Sequence, residues 1–350
     1  MTPQVVAHRG ASGYLPENTL AATVLACEQG ADAVECDVVL TRDGHVLVCH
    51  DLWLDEVSDV ASRFPGRQRP DGHFYALDFT LDEIRTLHTT HRFHTSDGHA
   101  VPDFPDRPPH GESDVGFHTL DAQLKLLREL EQDAGRPMGI FVELKAPWWH
   151  EQEGVDLIAP TLDVIARNGY RTPDDGCRVI AFDPHALLRI RREAGPEAGV
   201  DLPLIQLIAE PSSEETYERL ADGSWARYDY GWMHDPSAMA RIRAYADGIG
   251  PDFHDLVRVA GASVVDNGIT AAAHDAGLEV SPWAVRADQL PEWATSMDDV
   301  MEVLVGLGVD SITTDFPDVA RAYLDRLTSD TEESPASGAR LGQDACRRPP

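Results

Sequence analysis

Residues 33–51 read AVECDVVLTRDGHVLVCHD, and the fold turns on how this stretch is parsed. Its first half is an apolar run interrupted by two acids, Glu35 and Asp37, two positions apart. Alternate residues of a strand share a face, so both carboxylates point one way and Cys36 points the other, into a packed layer. Asp43-Gly44 is a two-residue hairpin signal, which in antiparallel register pairs Arg42 with His45 and therefore Asp37 with His50. The hairpin thus delivers a histidine beside a carboxylate. A surface strand with solvated acids is the alternative, and the apolar run around the acids weighs against it.

Working outward, short β-type runs alternate with helical patterns. Eight candidate strands fall at 4–8 (QVVAH), 33–37 (AVECD), 139–145 (GIFVELK), 178–182 (RVIAF), 203–208 (PLIQLI), 245–249 (YADGI), 278–283 (LEVSPW) and 310–314 (DSITT). Helical stretches lie at 18–29, 119–130, 155–168, 184–194, 236–245 and 299–307. This alternation predicts a parallel sheet with crossover helices, and eight strands suit a closed (β/α)8 TIM barrel. An open doubly wound sheet is the other candidate, without a GxGxxG or Walker pattern to support it. Residues 51–118, rich in Pro, Gly, Asp and His, break the alternation and read as an inserted lid-like subdomain over one end of the barrel. Within them Thr80-Leu81-Asp82-Glu83 has the form of a capping box. Residues 328–350 hold few apolar side chains and are expected to form a disordered tail, leaving 1–327 as one barrel domain.

Composition narrows the functions. Across 350 residues, 29 Lys and Arg face 60 Asp and Glu, a net charge of -31, which excludes nucleic acid and anionic membrane surfaces as first partners. An anionic substrate would need a metal ion or a few Arg and Lys side chains to reverse the field locally. The five cysteines show no CxxC or zinc spacing, and most read as buried thiols. No run of eighteen apolar residues suggests stable membrane insertion, and MTPQVVAHRG lacks the basic and apolar regions of a signal peptide. As written the chain reads as cytoplasmic, although a truncated or mis-assigned start would look the same.

Three strand ends carry the chemistry. Glu143 and Lys145 share a face at the C-terminal end of the third strand, where barrel residues enter the mouth. With Glu35 and Asp37 they offer three carboxylates, an oxygen-only cage that suits Ca²⁺ or Mg²⁺ rather than zinc. A buried Glu143–Lys145 ion pair without a ligand is the other reading. The first strand ends in His8-Arg9-Gly10, which adds a planar donor fork suited to phosphate and a glycine that permits a close turn. His8 and His50 facing one site is the arrangement phosphodiester cleavage needs, one removing a proton and the other supplying one. The seven histidines of the insertion, His91 and His94 among them, read as lacking the spacing and carboxylates of a second metal cage. Trp148 and Trp149 are candidates to wall the pocket.

The segments HRGASGYLPENT (8–19), ECDVVLTRDGHVLVCHD (35–51), ELKAPWW (143–149), DGIGPDF (247–253) and TTDFPD (313–318) resemble glycerophosphodiester phosphodiesterases, in particular the long, periplasmic-type bacterial subclass. The resemblance implies a barrel that binds a divalent cation, Ca²⁺ in that subclass, through Glu35, Asp37 and Glu143. It implies His8 and His50 as acid and base, with Arg9 and Lys145 on the phosphate. Trp283 matches an aromatic lining the glycerol site, and Phe182 is placed beside it. The expected reaction releases sn-glycerol 3-phosphate and an alcohol through a cyclic glycerol phosphate, with His8 favoured as base by family analogy. Lysophospholipids or glycerol phosphate polymers are alternative substrates for the same site. A catalytically silent phosphate-binding barrel is a third reading, marked by loss of a histidine, and both are present. Relatives of the long subclass carry a secretion signal, which leaves compartment open.

Overall fold

The computed structural model describes residues 2–107, 115–260 and 263–333. Eight parallel strands form the barrel: β1 (Gln4–Ala7), β2 (Ala33–Leu40), β3 (Gly139–Leu144), β4 (Cys177–Ala181), β5 (Leu204–Ile208), β6 (Gly248–Pro251), β7 (Glu279–Val280) and β8 (Ser311–Thr314). Neighbours in space are neighbours in sequence, in the order β7-β6-β5-β4-β3-β2-β1-β8. β7 is short because Pro282 cannot donate to a ladder. The ring nevertheless nearly closes, as Thr313 N–H donates to the Pro282 carbonyl at 3.1 Å and Val285 N–H to the Thr313 carbonyl at 2.9 Å. Each strand end therefore opens onto one mouth, the face where barrels place their chemistry.

The predicted strands sit where expected, with one shift: the 245–249 strand is displaced to Gly248–Pro251. The preceding helical stretch shrinks to a 3₁₀ turn, Pro236–Ala238, and the four-residue helix Met239–Ile242. Crossover helices pack outside, several with local start and stop signals. Thr19 caps Leu20–Glu28 and Thr119 caps Leu120–Ala134, their side chains accepting from Ala22 and Ala122 N–H. Ser296 and Asp299 form a capping box on Met297–Leu307, which Gly308 ends in the left-handed conformation. The last helix, Pro317–Glu333, runs past the expected boundary at residue 327, so 328–333 are helical where composition suggests disorder. Residues 334–350 lie outside the described set.

The hairpin after β2 corrects the expected register. Its return strand, Val46–Val48, pairs Val38 with Val48 and Leu40 with Val46, so Asp37 lies opposite Cys49 rather than His50. Thr41 N–H bonds the His45 carbonyl, closing a three-residue loop in which Gly44 takes φ 78°. Asp43-Gly44 thus belongs to a turn with a left-handed third residue, not to a two-residue turn. The one-residue slip turns Cys49 outward into a second core and leaves His50 just past the strand.

That second core explains the insertion. Val39, Leu47 and Cys49 on the outer face of the hairpin bury against Leu54, Val60, Phe79, Ile84 and Leu87, whereas Val38, Leu40, Val46 and Val48 face the main core. Burial on both faces is why residues 38–40 and 46–49 are apolar at every position rather than alternating. The Thr80–Glu83 capping box forms as expected. The four described cysteines are free, three of them buried. Among the described residues, no helix is long and apolar enough to cross a membrane.

Candidate active site

The barrel mouth gathers the nine residues singled out in the sequence. His8, Arg9, Glu35, His50, Glu143, Lys145, Phe182 and Trp283 line one pocket, and Asp37 lies beneath it. The β2–β3 register sets Asp37 directly across from Glu143. Arg9 adopts φ 59° and Asn18 φ 55°, left-handed conformations that cost a non-glycine residue about 1–3 kcal/mol and cluster where a site over-determines the backbone. Gly10 lets the turn lie against the first helix, since a Cβ there would stand 2.7 Å from the Ala22 backbone.

Each histidine is held by a carboxylate on Nδ1. His8 Nδ1 lies 2.7 Å from Asp315 Oδ1, and His50 Nδ1 lies 2.7 Å from Asp51 Oδ1. A carboxylate on Nδ1 fixes the ring and leaves Nε2 as the working nitrogen. Burial, with Arg9 second, lowers the His8 pKa against the opposing pull of Asp315. Burial, Arg9 and Lys145 push His50 well below its ordinary value. Both shifts favour the neutral ring in the free protein.

The carboxylates behave as a cluster in want of a cation. Ligand atoms of Glu35, Asp37 and Glu143 lie within 4.8 Å of one another. Glu35 Oε1 and Asp37 Oδ1 are buried without a hydrogen-bond partner, an arrangement that is costly unless something positive takes up those lone pairs. Burial raises the Glu35 carboxyl well above the usual range, with Asp37 and Glu143 adding to it; burial also raises Glu143, against Lys145. Burial would raise Asp37 too, but Arg9 and Lys145 hold it down at about 2. An oxygen-only set with two orphaned acceptors fits a hard divalent cation. The alternative ion pair is also present, as Lys145 Nζ lies 2.7 Å from Glu143 Oε1; the same Nζ stands 4.0 Å from Asp37 Oδ1, beyond hydrogen-bond reach, so both acceptors still lack a hydrogen bond.

The phosphate-type cations are in place. Arg9 Nη1 lies 3.1 Å from Glu17 and Nε 3.2 Å from Asp37, while its N–H donates to Glu35 Oε2 at 2.9 Å. Lys145 Nζ is 3.3 Å from His50 Nε2. Phe182, whose ring centroid is 5.5 Å from Lys145 Nζ, and Trp283 meet edge to face at 5.6 Å, Trp283 being fixed by its Nε1–H to the Gly250 carbonyl.

Sequence reasoning missed four residues that organise this site. Asp315 and Asp51 lie inside quoted motifs, yet nothing in their spacing reveals that they hold His8 and His50. The insertion then supplies an arginine behind each. Arg107 Nη2 reaches Asp315 at 2.7 Å, and Arg92 Nη1 reaches Asp51 at 2.6 Å while its Nη2 pairs with Glu17 at 2.8 Å. His91-Arg92-Phe93-His94 thus contributes through its arginine, and His94 pairs with Asp103 away from the site. Trp148 and Trp149 line an adjoining groove that shares His50, Lys145 and Glu215 with the main pocket.

A parallel eight-stranded barrel whose mouth sets buried carboxylates, two oriented histidines and two cations around one pocket defines the class: a hydrolase site shaped for a phosphate diester. Comparison with known proteins narrows this. Residues 8–319 match the glycerophosphoryl diester phosphodiesterase family, and the chain belongs to that family. It is 40% identical over 324 residues to the glycerophosphodiester phosphodiesterase of Haemophilus influenzae, covering 91% of this chain and 89% of that one. The Treponema pallidum enzyme is also 40% identical, over 91% of each chain. The fold is that of a Silicibacter pomeroyi structure (TM-score 0.66, 25% identity, 93% and 94% of the two chains). An Oleispira antarctica phosphodiesterase, solved with its product sn-glycerol-3-phosphate, aligns with TM-score 0.59 at 21% identity over 93% and 97%.

Proposed function

We propose that this phosphodiesterase hydrolyses glycerophosphodiesters to sn-glycerol 3-phosphate and an alcohol by paired-histidine catalysis, with Ca²⁺ held by Glu35, Asp37 and Glu143. The observation that carries the reading is the pair of histidines, each tied at Nδ1 to a carboxylate and both bordering the pocket of the carboxylate cluster. Three carboxylates favour Ca²⁺ over Mg²⁺, which prefers one or two with several waters. When bound, the ion supplies positive charge against the non-bridging phosphate oxygens.

The chain's own residues do the rest. Arg9 and Lys145 hold the phosphate. Phe182 and Trp283 bury the carbon side of the glycerol and keep its 2-hydroxyl toward His8, which borders the inner pocket with them. His8 Nε2 takes the hydroxyl proton, the oxygen bonds to phosphorus, and the bond to the alcohol oxygen breaks. His50, which borders the groove as well as the pocket, gives that oxygen its proton. Water then opens the cyclic glycerol phosphate with the histidines exchanging roles, and both return to their starting states.

His50 must carry a proton as acid, though burial, Arg9 and Lys145 depress its pKa in the free protein. A bound phosphodiester anion opposes the share of that shift due to the two cations and so favours the protonated ring. The test is release of sn-glycerol 3-phosphate from glycerophosphocholine with chelator, then with Ca²⁺ or Mg²⁺ added back. Release restored by Ca²⁺ is expected; undiminished release in chelator would overturn the cation's part, and no release under any condition would overturn the substrate.

A further inference from the structure

Beside the main pocket lies a groove of about 440 Å³ lined by five aromatic rings, among them Trp53, Trp148, Trp149 and Tyr217. It meets the pocket at His50, Lys145 and Glu215, on the side where His50 would protonate the departing alcohol. The rings are anchored. Trp148 donates from Nε1 to the Glu215 carbonyl at 2.8 Å and lies 4.6 Å from Tyr217, centroid to centroid. Trp149 stacks on Tyr75 at 5.1 Å, and the helix Pro147–Gln152 that carries Trp148 and Trp149 is pinned by His150, whose Nε2 accepts from Leu40 N–H.

The charge of the groove is as informative as its shape. Glu214 and Glu215 border it, while its one lysine, Lys145, is already paired with Glu143 at 2.7 Å. The rings also attract a cation within the protein itself: the Arg69 guanidinium sits 4.3 Å from the Tyr75 centroid and 5.4 Å from that of Trp149. Arg69 is neutralised by Asp78 and Glu153, at 2.7 Å and 2.9 Å. Aromatic faces joined to carboxylates are the chemistry that takes a quaternary ammonium, which has no N–H to donate and is held by ring quadrupoles and net negative field. A neutral polyol has no positive charge for the ring quadrupoles and carboxylates to attract.

We propose that this groove is a subsite for a trimethylammonium-type alcohol and makes the enzyme selective for diesters whose leaving group is cationic. The inference rests on the reading that His50 faces the departing alcohol. A cation over aromatic faces is worth about a 2- to 30-fold gain in binding.

The first measurement is the ratio of kcat/KM for glycerophosphocholine to that for glycerophosphoglycerol. A ratio of at least fivefold is expected, falling toward one in Trp149→Leu and reduced in Glu214→Gln, with glycerophosphoglycerol turnover unchanged in both. A ratio near one in the unaltered enzyme overturns the proposal. The second measurement does not depend on activity: titration of tryptophan fluorescence with choline alone and with its uncharged isostere 3,3-dimethylbutan-1-ol. Choline is expected to bind at least fivefold tighter; equal binding of the two overturns the subsite. Choline binding without turnover of either diester would keep the subsite and reject the activity.

Discussion

Asp315→Asn tests whether a carboxylate behind His8 is part of the machinery. Asp315 Oδ1 takes the His8 Nδ1 contact at 2.7 Å, and Oδ2 accepts from Arg107 at 2.7 Å and Arg286 at 2.9 Å. The side chain is 3% exposed, so water cannot replace what is lost. A hydrogen bond to a charged group is worth about 1.5–3 kcal/mol, and each 1.36 kcal/mol is tenfold in rate, so kcat should fall roughly 10- to 150-fold. KM should change little, because Arg9 and Lys145 are untouched. Asp315 raises the His8 pKa against burial and Arg9, so its loss lowers that pKa further. A base works in its neutral form, and the acid limb of kcat/KM therefore moves to lower pH. Buried Arg107, which keeps Asp288 at 2.8 Å, and half-buried Arg286 lose an anion at the same time, costing about 1–3 kcal/mol of stability, which thermal melting will show. Rates are read from sn-glycerol 3-phosphate release across pH. A kcat within twofold of the parent and an unmoved acid limb would refute the reasoning, whatever the melting temperature does.

Arg92→Met should destabilise the fold by about 3 kcal/mol or more, because Glu17 and Asp51 each lose a buried partner; chemical denaturation measures this, and a change under 1 kcal/mol would contradict it. Ca²⁺ at about 100 times its Kd should stabilise the protein by about 2.7 kcal/mol, read as a rise in melting temperature. Glu35→Gln should lose most of that rise; a full rise in the variant would remove Glu35 from the cation site. His50→Ala should abolish turnover while keeping the Ca²⁺-induced rise, and loss of the rise would make His50 a ligand instead.

The barrel was legible because β-type and helical runs alternate at a spacing that leaves few topologies, and because strand ends in a barrel share one mouth. His8, Glu35, Asp37, Glu143 and Lys145 follow from that rule alone. The hairpin register was not legible, since Asp-Gly serves both two- and three-residue turns and only the buried faces of Val39 and Leu47 decide between them. Asp315, Arg92 and Arg107 act across long separations: His8 to Asp315 spans 307 residues, and Arg107 to Asp315 spans 208. Local pattern carries no record of such pairs. The insertion reads as a lid from its composition, yet two of its arginines reach behind both histidines, which composition alone cannot reveal.

The account stands most directly on the glycerol 2-hydroxyl as nucleophile. The measurement is turnover of glycerophosphocholine beside its 2-deoxy analogue, with choline release followed for both in Ca²⁺. The account predicts steady release from the first, none above background from the second, and competitive inhibition by the analogue. Choline release from the analogue at a rate comparable with the parent would mean that water attacks phosphorus directly, and would contradict the paired roles given to His8 and His50.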